Sequence, residues 1–168
     1  MTSFFLNVLS QNLSVILVSN VTGEIIAGRS MRVARRTDVA DWSDLKNEKM
    51  AAIMTFLGHK YINGANVFKR FKVDTAVEFV ALGTHRNYRG QGLATKVMAA
   101  TIEFCKELGL NPVCIKGEAT SLYSQRIYEK FGFEVLHTVR FQDYKVNGEV
   151  VFRDTGDVEE VKCYVKQL

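Results

Sequence analysis

With 168 residues, 47% of them hydrophobic, and a single proline, the chain can bury one substantial core and shows no linker, repeat or low-complexity stretch that would divide it. Lys plus Arg (22) exceed Asp plus Glu (18) by only four, and apart from Arg32-Val33-Ala34-Arg35-Arg36 the basic residues are dispersed, a surplus that does not require a nucleic-acid partner but suits a small anionic ligand. Cys105, Cys114 and Cys163 lack paired spacing, so reduced, buried thiols in a cytosolic protein are expected rather than a disulfide framework or a metal site.

In chain order, Phe4, Phe5, Val8, Leu9 and Leu13 recur at helical spacing and predict a short amphipathic helix. No basic segment precedes it and polar residues interrupt it, so it reads neither as a signal peptide nor as a membrane span; a cytoplasmic location is the default. Residues 14–19 and 24–33 read as strands joined by a turn at 20–23, an antiparallel hairpin. From Thr37 to Val67 the chain leaves the sheet. Met50, Ile53, Met54, Leu57, Tyr61 and Ile62 keep one helical face, with Asp41 or Ser43 as its cap and Asn63-Gly64 as its break.

Residues 75–83 form a short apolar run that reads as a buried strand, and Leu93, Val97, Ala100, Thr101, Phe104 and Leu108 predict a helix after it. Between them stands Arg89-Gly90-Gln91-Gly92-Leu93-Ala94. Two glycines at alternate positions permit positive φ and remove the Cβ atoms that would keep a ligand off the backbone. Consecutive N–H groups at a helix N-terminus, with Arg86 and Arg89 beside them, make an anion nest suited to a diphosphate; the same residues also suit a plain tight turn. The P-loop is excluded because no Gly-Lys-Ser/Thr follows, and the dinucleotide fingerprint would need a third glycine where Thr95 stands. Leu108 to Pro112 stops the helix, and residues 113–119 read as a strand. A helix over 121–130, capped by Thr120 or Ser121, then turns at Gly132-Phe133 into a strand over 134–141, and 161–166 alternates as the last strand. This order implies an α/β (α+β) fold, a mixed central sheet with helices on both faces.

The pattern Arg-x-x-Gly-x-Ala at a strand–helix junction resembles motif A of the GNAT superfamily of acyl-CoA-dependent N-acetyltransferases. Ser121-Leu122-Tyr123-Ser124 through Tyr128 to Gly132-Phe133 is similar to that family's later helix. Asp143-Tyr144-Lys145 and Gly148-Glu149-Val150-Val151-Phe152 resemble a stretch of the insect arylalkylamine N-acetyltransferase branch. The resemblance implies a GNAT acyl-CoA N-acyltransferase fold in one domain over 1–168, acetyl-CoA as cosubstrate, no metal, and a small primary amine as acceptor. It also implies a monomer or homodimer with neither nucleic acid nor membrane as partner. Compared with that branch, the family's first strand and most of its first two helices are missing ahead of the hairpin. Two alternatives follow: a truncated acyl-CoA-binding member with weak or no activity, or a protein or histone lysine acetyltransferase.

By the same resemblance, Arg89, Gly90, Gln91, Gly92, Leu93, Ala94 and Thr95 hold the coenzyme A diphosphate, and Ala81, Leu82, Gly83 and Thr84 pair their backbone with the pantetheine arm. Tyr128 stands where many members protonate the departing thiolate, a role a phenol with a pKa of about 10 can fill; it could equally pack behind the Gly132-Phe133 turn. Ser121 and Ser124, with Thr120, are the alternative hydroxyls at that end of the coenzyme, and capping explains one of them without chemistry. Glu78 matches the glutamate base of the histone-acetyltransferase branch. A carboxylate in an apolar strand has a raised pKa if buried, or else faces water at an edge. The arylalkylamine branch takes its base from a segment before the hairpin, where this chain is short. Met50, Met54, Phe56, Tyr61 and Phe68 are candidate amine-pocket residues or simply core. His59, His85 and His137 do not cluster, and His85 alone lies near the motif as a candidate proton carrier.

Overall fold

The structure, a computed structural model, describes residues 3–39, 46–62 and 64–168. Helix α1 (Ser3–Ser10) buries Val8 completely, and β1 (Val15–Val18) and β2 (Ile25–Arg35) form the expected hairpin with Val15 opposite Arg29. Helix α2 (Glu48–Ile62) follows. Its expected caps Asp41 and Ser43, its expected break at Asn63 and the side chain of Tyr61 lie outside the described residues. A short helix that the periodicity does not predict, α3 (Val67–Phe71), is capped by the Asn66 side chain accepting from Lys69 N–H and ended by Lys72 at φ 56°.

The remaining elements are β3 (Thr75–Thr84), α4 (Leu93–Lys106), β4 (Cys114–Ala119), α5 (Leu122–Lys130), β5 (Glu134–Arg140), a small hairpin of β6 (Lys145–Val146) and β7 (Glu149–Val150), and β8 (Glu160–Gln167). No helix among the described residues is long and apolar enough to cross a membrane.

Six strands form one mixed sheet in the order β1-β2-β3-β4-β8-β5. Only β3 and β4 run parallel, as a crossover through α4 requires. The last strand does not close an edge: it inserts between β4 and β5 and buries Val161, Cys163, Tyr164 and Val165. Strand alternation sorts the residues into two cores. On one face Met31, Val77, Phe79 and Ile115 meet Met98 and Ile102 of α4 and Tyr128 of α5. On the other, Ala34, Ala76, Cys114 and Val165 meet Val67 and Phe68 of α3. Helices therefore cover both faces.

Two local features open the sheet at its centre. The β3–β4 ladder runs from Val77–Ile115 through Glu78–Lys116 to Phe79–Gly117 and stops there, although both strands continue. At the same level the β2–β3 register slips, with Ser30 opposite Ala81 but Met31 opposite Phe79, so that Val80 is an extra residue. A bulge of this kind bends its strand and adds twist, which is the physical reason β3 leaves β4 beyond Phe79.

Gly117 marks the apex for a packing reason. A Cβ there would fall on the Tyr128 hydroxyl and stand 3.1 Å from the Phe79 Cβ. Gly117→Ala is expected to cost about 1–3 kcal/mol by overpacking, read as a lower urea midpoint with an unchanged slope.

Candidate active site

Beyond the apex, β3 pairs on one side only. Ala81, Leu82, Gly83 and Thr84 face Ser30, Arg29, Gly28 and Ala27 of β2, while no strand among the described residues takes the other edge. The N–H of His85 donates to the Ile26 carbonyl at 2.8 Å, so alternation turns the backbone groups of Gly83 towards β2 and those of Leu82 and Thr84 towards the open edge. An extended ligand can pair with these groups as an added strand.

Where β3 ends, a single 3-10 turn (Arg86–Tyr88) leads into the glycine loop. His85 caps this turn, its Nδ1 accepting from Asn87 N–H at 3.4 Å, and its ring packs edge-on against Tyr88. That is a structural duty for the ring at the end of β3. Gly90 and Gly92 have φ of 78° and 72°, as the nest requires. Gly92 is the N-cap of α4 and supplies no side-chain bond, and the first helical bond runs from Lys96 N–H to the Gly92 carbonyl. The N–H groups of Leu93, Ala94 and Thr95 belong to the uncapped first turn, at the positive end of the helix dipole, roughly half a charge. Arg89 is exposed beside the loop, with its Nε 3.5 Å from the Thr84 carbonyl. The open edge and the nest are thus consecutive parts of one strand–loop–helix unit.

At the apex, Glu78 stands between two cations supplied by the neighbouring strands. Its Oε2 accepts from Arg32 Nε at 2.6 Å and its Oε1 from Lys116 Nζ at 2.5 Å, while Arg32 also reaches Asp38 at 3.2 Å. All three belong to one cross-strand row, because Arg32 lies opposite Glu78 and Glu78 opposite Lys116. Glu78 therefore does not face water at an edge: its side chain is 12% exposed. Burial raises its pKa to about 7, against the opposing charge of Arg32.

Across the sheet, Tyr128 is buried to 1%, stacked on Tyr164 at 4.7 Å and set edge-on to Phe133 at 5.0 Å. It does pack behind the Gly132-Phe133 turn, but its hydroxyl is not idle: it accepts from Nη1 of Arg29 on β2 at 3.3 Å and lies against Gly117. Burial raises its pKa and Arg29 opposes the rise. Ser121 and Ser124 have a different use. Ser121 Oγ accepts from Ser124 N–H and Ser124 Oγ accepts from Ser121 N–H, both at 3.2 Å, while Ser124 Oγ donates to the Ser121 carbonyl at 2.9 Å. The two serines thus form a capping box at the start of α5.

Of the amine-pocket candidates, Met50 is half-buried and Met54 buried on α2. Phe56 belongs to an aromatic cluster with Phe141, Tyr144 and Phe152, and Phe68 to the core beneath α3. A cleft of about 460 Å³ is lined by His59, His137, Arg140, Asp143 and Glu160, and neither Met50 nor Met54 reaches it. Arg29, Arg32 and Lys116 are apex residues that the sequence alone does not single out. For Arg29 a signal exists: it shares the inward phase of β2 with Ala27 and Met31, and a charge in that phase is unusual.

Residues 29–133 match the model of the acetyltransferase (GNAT) family. Among solved structures, the chain is similar to mosquito arylalkylamine N-acetyltransferase like 5b, with a TM-score of 0.86 and 24% identity over 98% of this chain and 79% of that one. It is similar also to arylalkylamine N-acetyltransferase 2 from Aedes aegypti, with a TM-score of 0.85 and 27% identity over 96% of this chain and 76% of that one. N-alpha-acetyltransferase 30 of Schizosaccharomyces pombe is 32% identical over 68 residues, a match that spans 40% of this chain and 44% of that protein.

Proposed function

The chain belongs to the acetyltransferase (GNAT) family, and on that premise we propose that it transfers the acetyl group of acetyl-CoA to a small primary amine, with an arylalkylamine as the best-supported acceptor. The observation that carries this reading is the continuity of the open β3 edge with the glycine nest. Together they match the two ends of one ligand, an amide-bearing arm and a diphosphate. Leu82 and Thr84 pair with the arm, and the loop from Arg89 to Thr95 takes the diphosphate. The acceptor class is drawn from the arylalkylamine N-acetyltransferases of similar structure.

Acetyl transfer needs a polarised carbonyl, a neutral amine and a proton for the departing sulfur. A backbone N–H of the open edge polarises the carbonyl. Glu78, one residue short of the apex, takes the proton released by the amine as nitrogen bonds to the acetyl carbon. Tyr128 gives its hydroxyl proton to the sulfur as the carbon–sulfur bond breaks, and recovers one from solvent. Positioning both reactants at the apex supplies a large part of the acceleration by itself.

Calorimetry with acetyl-CoA, run beside turnover of tyramine, serotonin, agmatine and a lysine peptide, tests the proposal. The expected result is binding together with turnover of an arylalkylamine. Binding with no turnover of any amine leaves an acyl-CoA-binding protein. Turnover of the lysine peptide alone favours a protein lysine acetyltransferase, the reading that the position of Glu78 supports. Absence of binding overturns the coenzyme site.

A further inference from the structure

Arg29 is buried to 3%, and no carboxylate among the described residues lies within ion-pair distance of it. Its guanidinium stands 4.6 Å over the Phe79 ring and 5.6 Å from the Tyr128 ring, donates to the Tyr128 hydroxyl at 3.3 Å and to the Met98 sulfur at 3.3 Å, and leaves its buried Nε without a partner. Ring faces offset part of the desolvation of a buried cation, but they do not replace an anion. A second donor in the same pair is also unspent. The Tyr128 oxygen accepts from Arg29, and no acceptor among the described residues receives its hydroxyl hydrogen. Both residues sit at the apex, where β3 parts from β4: Phe79 is the last residue of β3 paired with β4, and Gly117, its partner, touches the Tyr128 hydroxyl.

On the reading that acetyl-CoA is bound along the open edge, we propose that Arg29 is a positioning residue for the sulfur of coenzyme A. It holds the Tyr128 oxygen so that the hydroxyl hydrogen is free to meet the sulfur, and it supplies the positive charge against which the thiolate forms. When the carbon–sulfur bond breaks, its electron pair stays on sulfur and the Tyr128 proton moves to it. The phenolate that remains is held by Arg29 Nη1 until solvent returns the proton that the amine released. The guanidinium is thus the buried counter-charge of the leaving group, first for the thiolate and then for the phenolate, and this explains why the fold keeps a cation here without a carboxylate.

The pair has titratable neighbours on β4, β8 and α4. Glu118 from β4 and Cys163 and Tyr164 from β8 face Tyr128, and Cys105 from α4 faces Arg29. Burial pushes the Cys105 thiol up to about 12 and raises Tyr164 and Tyr128 as well, so Cys105, Tyr164 and Tyr128 stay neutral where a free thiol titrates, at about 8.5.

The test compares coenzyme A with desulfo-coenzyme A, which lacks only the sulfur, by calorimetry below and above the thiol's titration. The wild-type protein is expected to prefer coenzyme A at the higher pH by about tenfold or more, the scale of a hydrogen bond to a charged group. Arg29→Gln should bring that ratio to about one while affinity for desulfo-coenzyme A changes by less than about threefold, and Arg29→Lys should restore part of the ratio. An equal loss for both ligands marks a merely structural residue and overturns the proposal, as does an unchanged ratio in Arg29→Gln. Because the wild-type ratio is itself a readout, a ratio of one there overturns the proposal even if no variant folds. Failure of both ligands to bind the wild-type protein overturns the coenzyme site as a whole, a result distinct from the others.

Discussion

Glutamate in place of Gly92 is expected to raise the dissociation constant of coenzyme A by about a hundredfold or more, close to 3 kcal/mol, with the fold intact. The fold survives because a Cβ at Gly92 meets no atom within 4 Å, so the side chain has room. The cost is conformational: a non-glycine residue at φ 72° pays about 1–2 kcal/mol, within the margin of a stable domain. Binding suffers for a different reason. The new carboxylate stands at the N-terminus of α4, where it neutralises the dipole and can accept from the first-turn N–H groups that the diphosphate requires. Gly92→Ala separates the two effects, since it pays the strain without the charge, and its loss should stay below about tenfold. Titration calorimetry on both variants decides the matter, and Gly92→Glu binding within about threefold of wild type places the diphosphate somewhere else.

The glycine loop is legible in the amino-acid sequence because its information is local: alternate glycines, flanking arginines, and a change from strand to helix period within a few residues. The hairpin, the central strand and the helix starting at Leu93 are written the same way, and the structure keeps them. Other features depend on distance along the chain. Helix α3 is only five residues long, too short for its period to register, and it is fixed by the Asn66 cap and the core contacts of Val67 and Phe68. The insertion of β8 between β4 and β5 leaves no trace in its own alternation, which would read alike at an edge. Glu78 is visible as a carboxylate in an apolar strand, but its partners Arg32 and Lys116 are 46 and 38 positions away and are set by register. Capping of α5 by Ser121 is readable from the residue order. The answering hydroxyl of Ser124 shows only in the reciprocal geometry.

Glu78→Gln is expected to lower kcat/KM by about a hundred- to ten-thousand-fold, the usual contribution of a general base, and to remove the acid limb of the pH–rate profile. The position of that limb in the wild-type enzyme follows from opposing forces. Burial raises the Glu78 pKa to about 7 against the charge of Arg32, and the Lys116 ammonium at 2.5 Å favours the ionised form further, so the limb falls above the ordinary carboxylate range but no higher than about 7. Stability should run the other way. A carboxyl whose pKa is raised from 4.5 on folding contributes its full share below 4.5 and loses it as pH rises towards about 7, a loss of at most roughly 3 kcal/mol. The wild-type protein therefore gains rate and sheds stability over the same pH interval, whereas Glu78→Gln should show neither change. Because Gln stands in for the protonated carboxyl, the variant should match wild type in stability below 4.5 and exceed it above that interval by no more than roughly 3 kcal/mol. Rates should accordingly be compared at low temperature, beside melting curves at each pH. If the acid limb persists in Glu78→Gln with kcat/KM within about tenfold of wild type, then Glu78 serves only the ion row and the amine loses its proton elsewhere.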